Sequence, residues 1–182
     1  MSDWLTLRMT TSDDAGWPEE LWGDRESLLA RGAVRFASTR VGSWTVRSLM
    51  PLDRRILVRT GGRRTVLGPI GAPTMLLETI GRRSGQARVS PLLFARDGGS
   101  VIVVGSNFGQ QHHPAWTGNL LANPEAVAVV RGRRIPVTAT LLEGEAEAAA
   151  YAAMTEIADV YRVYRGRTDR HIRVFRLTPS GG

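Results

Sequence analysis

Residues 74–106 read TMLLETIGRRSGQARVSPLLFARDGGSVIVVGS, and this stretch decides the fold. TMLLETI at 74–80 is a short β-leaning run, and GRRSGQ at 81–86 is turn-like. ARVSPLLFAR resumes as a strand and runs to Asp97-Gly98-Gly99, a hairpin signal. VIVVGS at 101–106 reads as a buried strand. Three strands joined by glycine turns announce an antiparallel β structure rather than a strand–helix alternation.

Outward from this stretch toward the C-terminus the pattern continues. NFGQQHH at 107–113 is a polar loop. PAWTGNLLANP opens on Pro114, carries Trp116, Leu120 and Leu121 at helical spacing, and closes at Asn123-Pro124. AVAVVR and IPVTATLLE flank Gly132-Arg133-Arg134 as another hairpin. GEAEAAAYAAMTEIADVYRVYR, rich in Ala and Glu, predicts one long helix from about Gly144. HIRVFRL at 171–177 predicts a last strand. The sum is about six mostly antiparallel strands with peripheral helices, an α+β chain that is mainly β. No GxGxxG lies between a strand and a helix, which argues against a dinucleotide-binding domain.

Toward the N-terminus, residues 1–17 predict a flexible arm. PEELWGDRESLLAR at 18–31 has the start and stop of a helix. A second helix is expected around Val34–Met50, stopped by Pro51, and Arg54–Pro73 reads as a crossing segment or loop. Residues 18–182 are expected to form a single domain.

The chain has 182 residues, is 42% hydrophobic, has a net charge of +7 and contains no cysteine. Disulfides and thiolate chemistry are therefore excluded. Every basic residue is arginine, so neither a Schiff-base lysine nor a P-loop lysine exists. Guanidinium groups suit phosphates and carboxylates, which they grip with paired hydrogen bonds. No apolar run is long enough to span a bilayer, and the acidic opening MSDWLTLRMTTSDD does not read as a signal peptide. A cytoplasmic protein is expected. The surplus charge suits an anionic cofactor, and it leaves peripheral association with an anionic membrane open. A basic RNA- or membrane-surface-binding module without catalysis is the alternative of another class, but few aromatics accompany the arginines, so no nucleic-acid partner is expected.

Three constellations stand out. Arg82, Arg83 and Arg88 surround the Gly81–Gly85 turn, an arrangement fit for an acidic tail and equally readable as a solvated basic hairpin. Ser106-Asn107-Phe108-Gly109 leads to His112-His113-Pro114-Ala115-Trp116, a strand end and loop before a helix N-terminus. His112 and His113 are adjacent and His171 is remote, so no metal site is expected. Tyr161 and Tyr164, three apart, share a helix face and would line a pocket or simply pack. There is no GxSxG.

TIGRRSGQARVSPLLFARDGGSVIVVGSNFG and HPAWTGNLLANPEAVAVV resemble the deazaflavin-dependent nitroreductase family, also called nitroreductase/quinone reductases. The likeness is strong over Thr74–Val130 and continues weakly to RTDRHIRVFRL. It implies a split β-barrel like that of flavin-mononucleotide-binding oxidases, and coenzyme F420 as cofactor, with flavin mononucleotide as the alternative. It implies hydride transfer from the reduced deazaflavin to a small activated acceptor: a quinone, a nitroaromatic, an enone or an unsaturated bond of a secondary metabolite. By the same likeness Arg82, Arg83, Ser84, Gly85 and Arg88 grip the cofactor's phosphate and acidic tail. Ser90, Pro91, Val104, Gly105, Ser106 and Asn107 approach its ring and ribityl chain, and Ala115 and Trp116 begin the covering helix. Tyr161, Tyr164 and Ser106 are the implied catalytic hydroxyls. Asn107 stands where some members carry a lysine, and Ala115 where some carry methionine. Monomer and homodimer both remain open.

Overall fold

The computed structural model describes residues 73–180 continuously. It also describes Trp17, Pro18, Gly32, Phe36, Thr39, Trp44, Ser48, Leu52, Arg55, Ile56, Arg59 and Thr60. The helix expected at 18–31 lies outside the described residues apart from Pro18, as does most of the arm at 1–17. Phe36, Trp44 and Ser48 are helical as expected, but so are Leu52, Arg55, Ile56 and Arg59, beyond the expected stop at Pro51. A proline's fixed φ is compatible with the first turn of a helix, so Pro51 alone was a weak stop. No helix among the described residues is long and apolar enough to cross a membrane.

Six strands form a barrel: β1 (Thr74–Ile80), β2 (Ala87–Asp97), β3 (Ser100–Val104), β4 (Glu125–Val130), β5 (Arg133–Leu142) and β6 (Val174–Pro179). Their spatial order is β1-β2-β3-β6-β5-β4, with β4 returning to β1, and every pairing is antiparallel. Alternation sorts the side chains. Met75, Leu77, Val101, Val103, Phe175 and Leu177 fill the interior. Ile102, Val104 and Val174 point outward, into a second apolar layer. VIVV is apolar at every position because both faces of β3 are buried.

That outer layer is covered by α2 (Gly144–Ile157) and α3 (Val160–Arg165). One long helix was expected here, and the structure breaks it at Ala158, which is extended (φ −148°, ψ 104°). Neither Ala158 nor Asp159 signals a break. Packing sets it: the Tyr151 hydroxyl donates to the Tyr161 carbonyl at 2.8 Å, and Val160, Tyr161 and Tyr164 join Ala150, Tyr151 and Met154 against the barrel.

The two barrel ends are closed differently. At the upper end, where β1 finishes and β2 begins, α1 (Ala115–Ala122) lies across the opening and sends Trp116 and Leu120 inside. The Trp116 ring sits 5.7 Å from Phe175. At the lower end, Trp17 enters the same core, 6.4 Å from Phe94, and its indole Nε1 donates to the Gly99 carbonyl at 3.0 Å. The boundary expected after residue 17 thus falls on an anchored side chain.

The β2–β3 seam is zipped only over its lower half. Phe94–Asp97 pair with Ser100–Val103, whereas Ala87–Leu93 pair with β1 alone. Pro91 lies in this free half, where a residue without an N–H costs no ladder bond. The barrel is therefore split beside Ser90 and Pro91.

Candidate functional site: the split end of the barrel

The upper end gathers most of the residues singled out in the sequence. In the turn between β1 and β2, the Gly81 N–H donates to the Gln86 carbonyl at 2.8 Å, and the Gly85 N–H donates to the Gly81 carbonyl at the same distance. Arg82, Arg83, Ser84, Gly85 and Arg88 are all exposed there, and Arg88 Nη2 reaches Ser84 Oγ at 3.4 Å. The turn is fixed to α1 by a buried side chain. Asn119 accepts from the Arg82 backbone N–H at 3.1 Å and donates to Thr79 Oγ1 at 3.0 Å. The Arg82 guanidinium then lies on Gly118, in the space that a β-carbon would fill. Small Gly118 lets the basic turn and α1 meet.

Across the split, β3 ends at Val104 and the chain passes close under α1. A β-carbon on Gly105 would come within 2.7 Å of Thr117 Cγ2 and 3.3 Å of the Arg173 carbonyl, so only glycine fits. Ser106 follows and is 6% exposed. Its hydroxyl has no hydrogen-bond partner among the described residues. A buried hydroxyl without a protein partner is uncommon and is open to a water or a ligand. Asn107, Phe108 and Gly109 form a 3-10 turn, and Phe108 packs edge-on against Tyr164 at 5.7 Å.

The tyrosines are half of a wall and half of a core. Tyr161 and Tyr164 are both buried, with ring centroids 6.0 Å apart. Burial first, then neighbouring Tyr164 and Tyr151, push the Tyr161 hydroxyl well above its usual pKa, so it stays protonated, and it has no hydrogen-bond partner among the described residues. Tyr151, pushed up to about 12 chiefly by burial, has its hydroxyl committed to the Tyr161 carbonyl. Trp116 is core, and Ala115 at the helix start is exposed. Ser90 and Pro91 are half-buried on the free half of β2.

The sequence reading missed Arg170, Arg173 and Asn119, and it placed His113 in the loop before α1 without a role. Arg170 donates to the carbonyls of Gly105, Ser106 and Gln110, and its Nη1 lies 3.2 Å from His113 Nδ1. Arg173 Nη1 donates to Thr117 Oγ1 at 3.3 Å. These contacts span 56–65 positions of sequence, so no local spacing reveals them. Asn119, a polar residue between apolar helix positions, was the one detectable signal. No carboxylate pairs with Arg82, Arg83, Arg88, Arg170 or Arg173 among the described residues. The histidines do not gather into a metal-holding cluster among those residues.

Desolvation first, then Arg173, Arg170 and His171, hold the His113 pKa below its usual value. The fold therefore favours neutral His113, and the stability this contributes is present above about pH 6.5 and lost as pH falls through the depressed pKa. Between about pH 7 and pH 5, the urea midpoint of the wild type should fall more steeply than that of His113→Gln. Equal slopes would remove His113 from this account.

The sequence profile of the F420H(2)-dependent quinone reductase family matches residues 52–179. An F420H(2)-dependent quinone reductase of Mycobacterium tuberculosis is 35% identical over 135 residues, 71% of this chain and 89% of the relative. The solved structure of an F420-H2 dependent reductase is 34% identical, covers 58% of this chain and 93% of its own, and superposes with a TM-score of 0.54. A solved structure described as a domain-swapped dimer is 30% identical over 73% of this chain and 98% of its own, with a TM-score of 0.55. A six-stranded split barrel, a basic turn docked on α1 and a profile match across most of the chain agree: this protein belongs to the F420H(2)-dependent quinone reductase family.

Proposed function

We propose that the split upper end of the barrel binds coenzyme F420 and that the acceptor is a small, planar, quinone-type molecule. The oxidoreductase class and the dependence on F420 follow from family membership. The observation that carries the site is the convergence, at one barrel end, of arginines without a carboxylate partner among the described residues, beside the buried hydroxyl of Ser106, which has no hydrogen-bond partner among them.

The residues present fit the cofactor. Arg82, Arg83 and Arg88 would hold its phosphate and acidic tail, with Ser84 and the Gly85 backbone beside them. Asn119 keeps that turn in place through the Arg82 N–H. Ser90 and Pro91 on the free half of β2, with Val104, Gly105, Ser106 and Asn107 opposite, would border the ring and its chain. Ala115 presents the start of α1. Reduced F420, when bound, supplies a hydride at C5 of its deazaflavin ring.

The chain's own part in turnover is orientation and charge. The Ser106 hydroxyl is a donor for an acceptor oxygen on which negative charge develops. The Tyr161 hydroxyl, held protonated by burial, is a second donor, and Tyr164 supports it by ring contact. Tyr161→Phe removes the hydroxyl and keeps the packing. Turnover should fall about 10- to 100-fold with F420 affinity unchanged. Wild-type turnover in that variant would reduce Tyr161 to a core residue.

Titration of the purified protein with oxidised F420 and with flavin mononucleotide, side by side, tests the site. Saturable binding of F420, and oxidation of F420H2 on adding a benzoquinone, is the expected result. Binding of flavin mononucleotide without binding of F420 would overturn it.

A further inference from the structure

We propose that Arg170 is a positioning residue, whose guanidinium holds the Gly105–His113 loop so that the backbone N–H groups of Ser106 and Asn107 face an anionic group of the cofactor. The inference rests on the F420 site described above.

The loop has an improbable backbone. Asn107, Phe108 and Gly109 are consecutive and all left-handed, with φ of 47°, 57° and 75°. Residues bearing a β-carbon rarely adopt that conformation, and two in succession need external support. Part of the support is local. The Gly109 N–H donates to the Ser106 carbonyl at 2.9 Å, and Asn107 Nδ2 donates to the His112 carbonyl at 3.0 Å. The rest comes from Arg170. Its Nη2 donates to the carbonyls of Gly105 at 2.9 Å and Ser106 at 2.6 Å, and its Nε to that of Gln110 at 2.8 Å.

A planar trans peptide points its N–H opposite to its C=O. With the Gly105 and Ser106 carbonyls turned toward Arg170, the N–H groups of Ser106 and Asn107 point away from it. Neither has a hydrogen-bond partner among the described residues. Ser106 is right-handed (φ −65°) and Asn107 left-handed (φ 47°), and two successive free amides in that conformation make an anion cradle. The surroundings of Arg170 agree. Burial and neighbouring Arg173 both hold its pKa below the usual guanidinium value, a crowding of positive charge that no carboxylate relieves among the described residues. Asn107 carries no charge, so the cradle is made of backbone and depends on what fixes the backbone.

The geometry needs a fork and not only a charge. Arg170 reaches the Gln110 carbonyl from Nε, the Gly105 and Ser106 carbonyls from Nη2 and His113 from Nη1, which a single ammonium cannot do. Arg170→Gln and Arg170→Lys are therefore compared by two readouts. The first is backbone amide hydrogen exchange in the cofactor-free protein. Exchange at the Gly109 and Gln110 amides, which donate to the Ser106 and Asn107 carbonyls, should rise about tenfold or more in both variants, with the β1–β2 and β5–β6 ladders unchanged. The second is titration with oxidised F420. Both variants should bind about 10- to 100-fold more weakly, with kcat at saturating F420H2 changing far less. Wild-type exchange and affinity in Arg170→Lys would overturn the proposal, and so would faster exchange with unchanged affinity, which marks a merely structural contact. Should the Gln variant fail to fold, the Lys variant decides alone. Failure of the wild type to bind F420 would instead overturn the cofactor site, while the exchange arm still decides whether Arg170 orders the loop.

Discussion

Replacing Trp17 with alanine should lower the stability of the barrel by about 3–5 kcal/mol, the range for emptying a buried Trp or Phe site. Trp17 is 2% exposed and belongs to the interior cluster with Phe94, Val101 and Leu177. It closes the lower end of the barrel, where no helix among the described residues does so. The alanine variant loses the buried ring and the bond from Nε1 to the Gly99 carbonyl, and it opens that end to water. Trp17→Phe keeps much of the packing and should cost distinctly less. Urea unfolding of the three proteins measures this. The proposed cofactor site is at the other end, so F420 affinity in the folded variants should stay near wild type. A Trp17→Ala midpoint equal to wild type would show that Trp17 is not a structural plug.

Removing both Arg82 and Arg88 should be the most damaging change to cofactor binding. A charge-assisted hydrogen bond contributes about 1.5–3 kcal/mol, so each alanine should weaken F420 binding about 10- to 150-fold at low salt. The double variant should lose more than either single one, and its affinity should depend less on ionic strength. Stability should hardly change, because both side chains are exposed and neither pairs with a carboxylate among the described residues. Unchanged affinity in the double variant would place the acidic tail elsewhere.

The strand framework was legible because its signals are local. The short β-leaning runs, the apolar run of VIVV and the glycine turns at 81–86 and 98–99 all reside within a few residues of one another. The order of strands and the split between β2 and β3 rest on pairings of distant segments and were not legible. The resemblance carried by GRRSGQ and HPAWTGNLLANP added the cofactor. Continuity of the late helix was not legible. Ala158-Asp159 has good helical neighbours, and the break answers to the apolar surface of β2, β3 and β6 and to the Tyr151–Tyr161 bond.

By itself, then, the sequence determined a mainly β chain of about six strands, the position of its basic turn and the absence of lysine and cysteine chemistry, because each is a property of neighbouring residues or of composition. Only the tertiary structure decided that Trp17 closes one end, that Asn119 and Gly118 seat Arg82 on α1, and that Trp116 is core. It alone brought Arg170 under the Ser106 loop, across more than sixty positions of chain. Such contacts are made by residues far apart in sequence, and their partners are chosen by where the barrel's closure puts them rather than by any preference of the segments themselves.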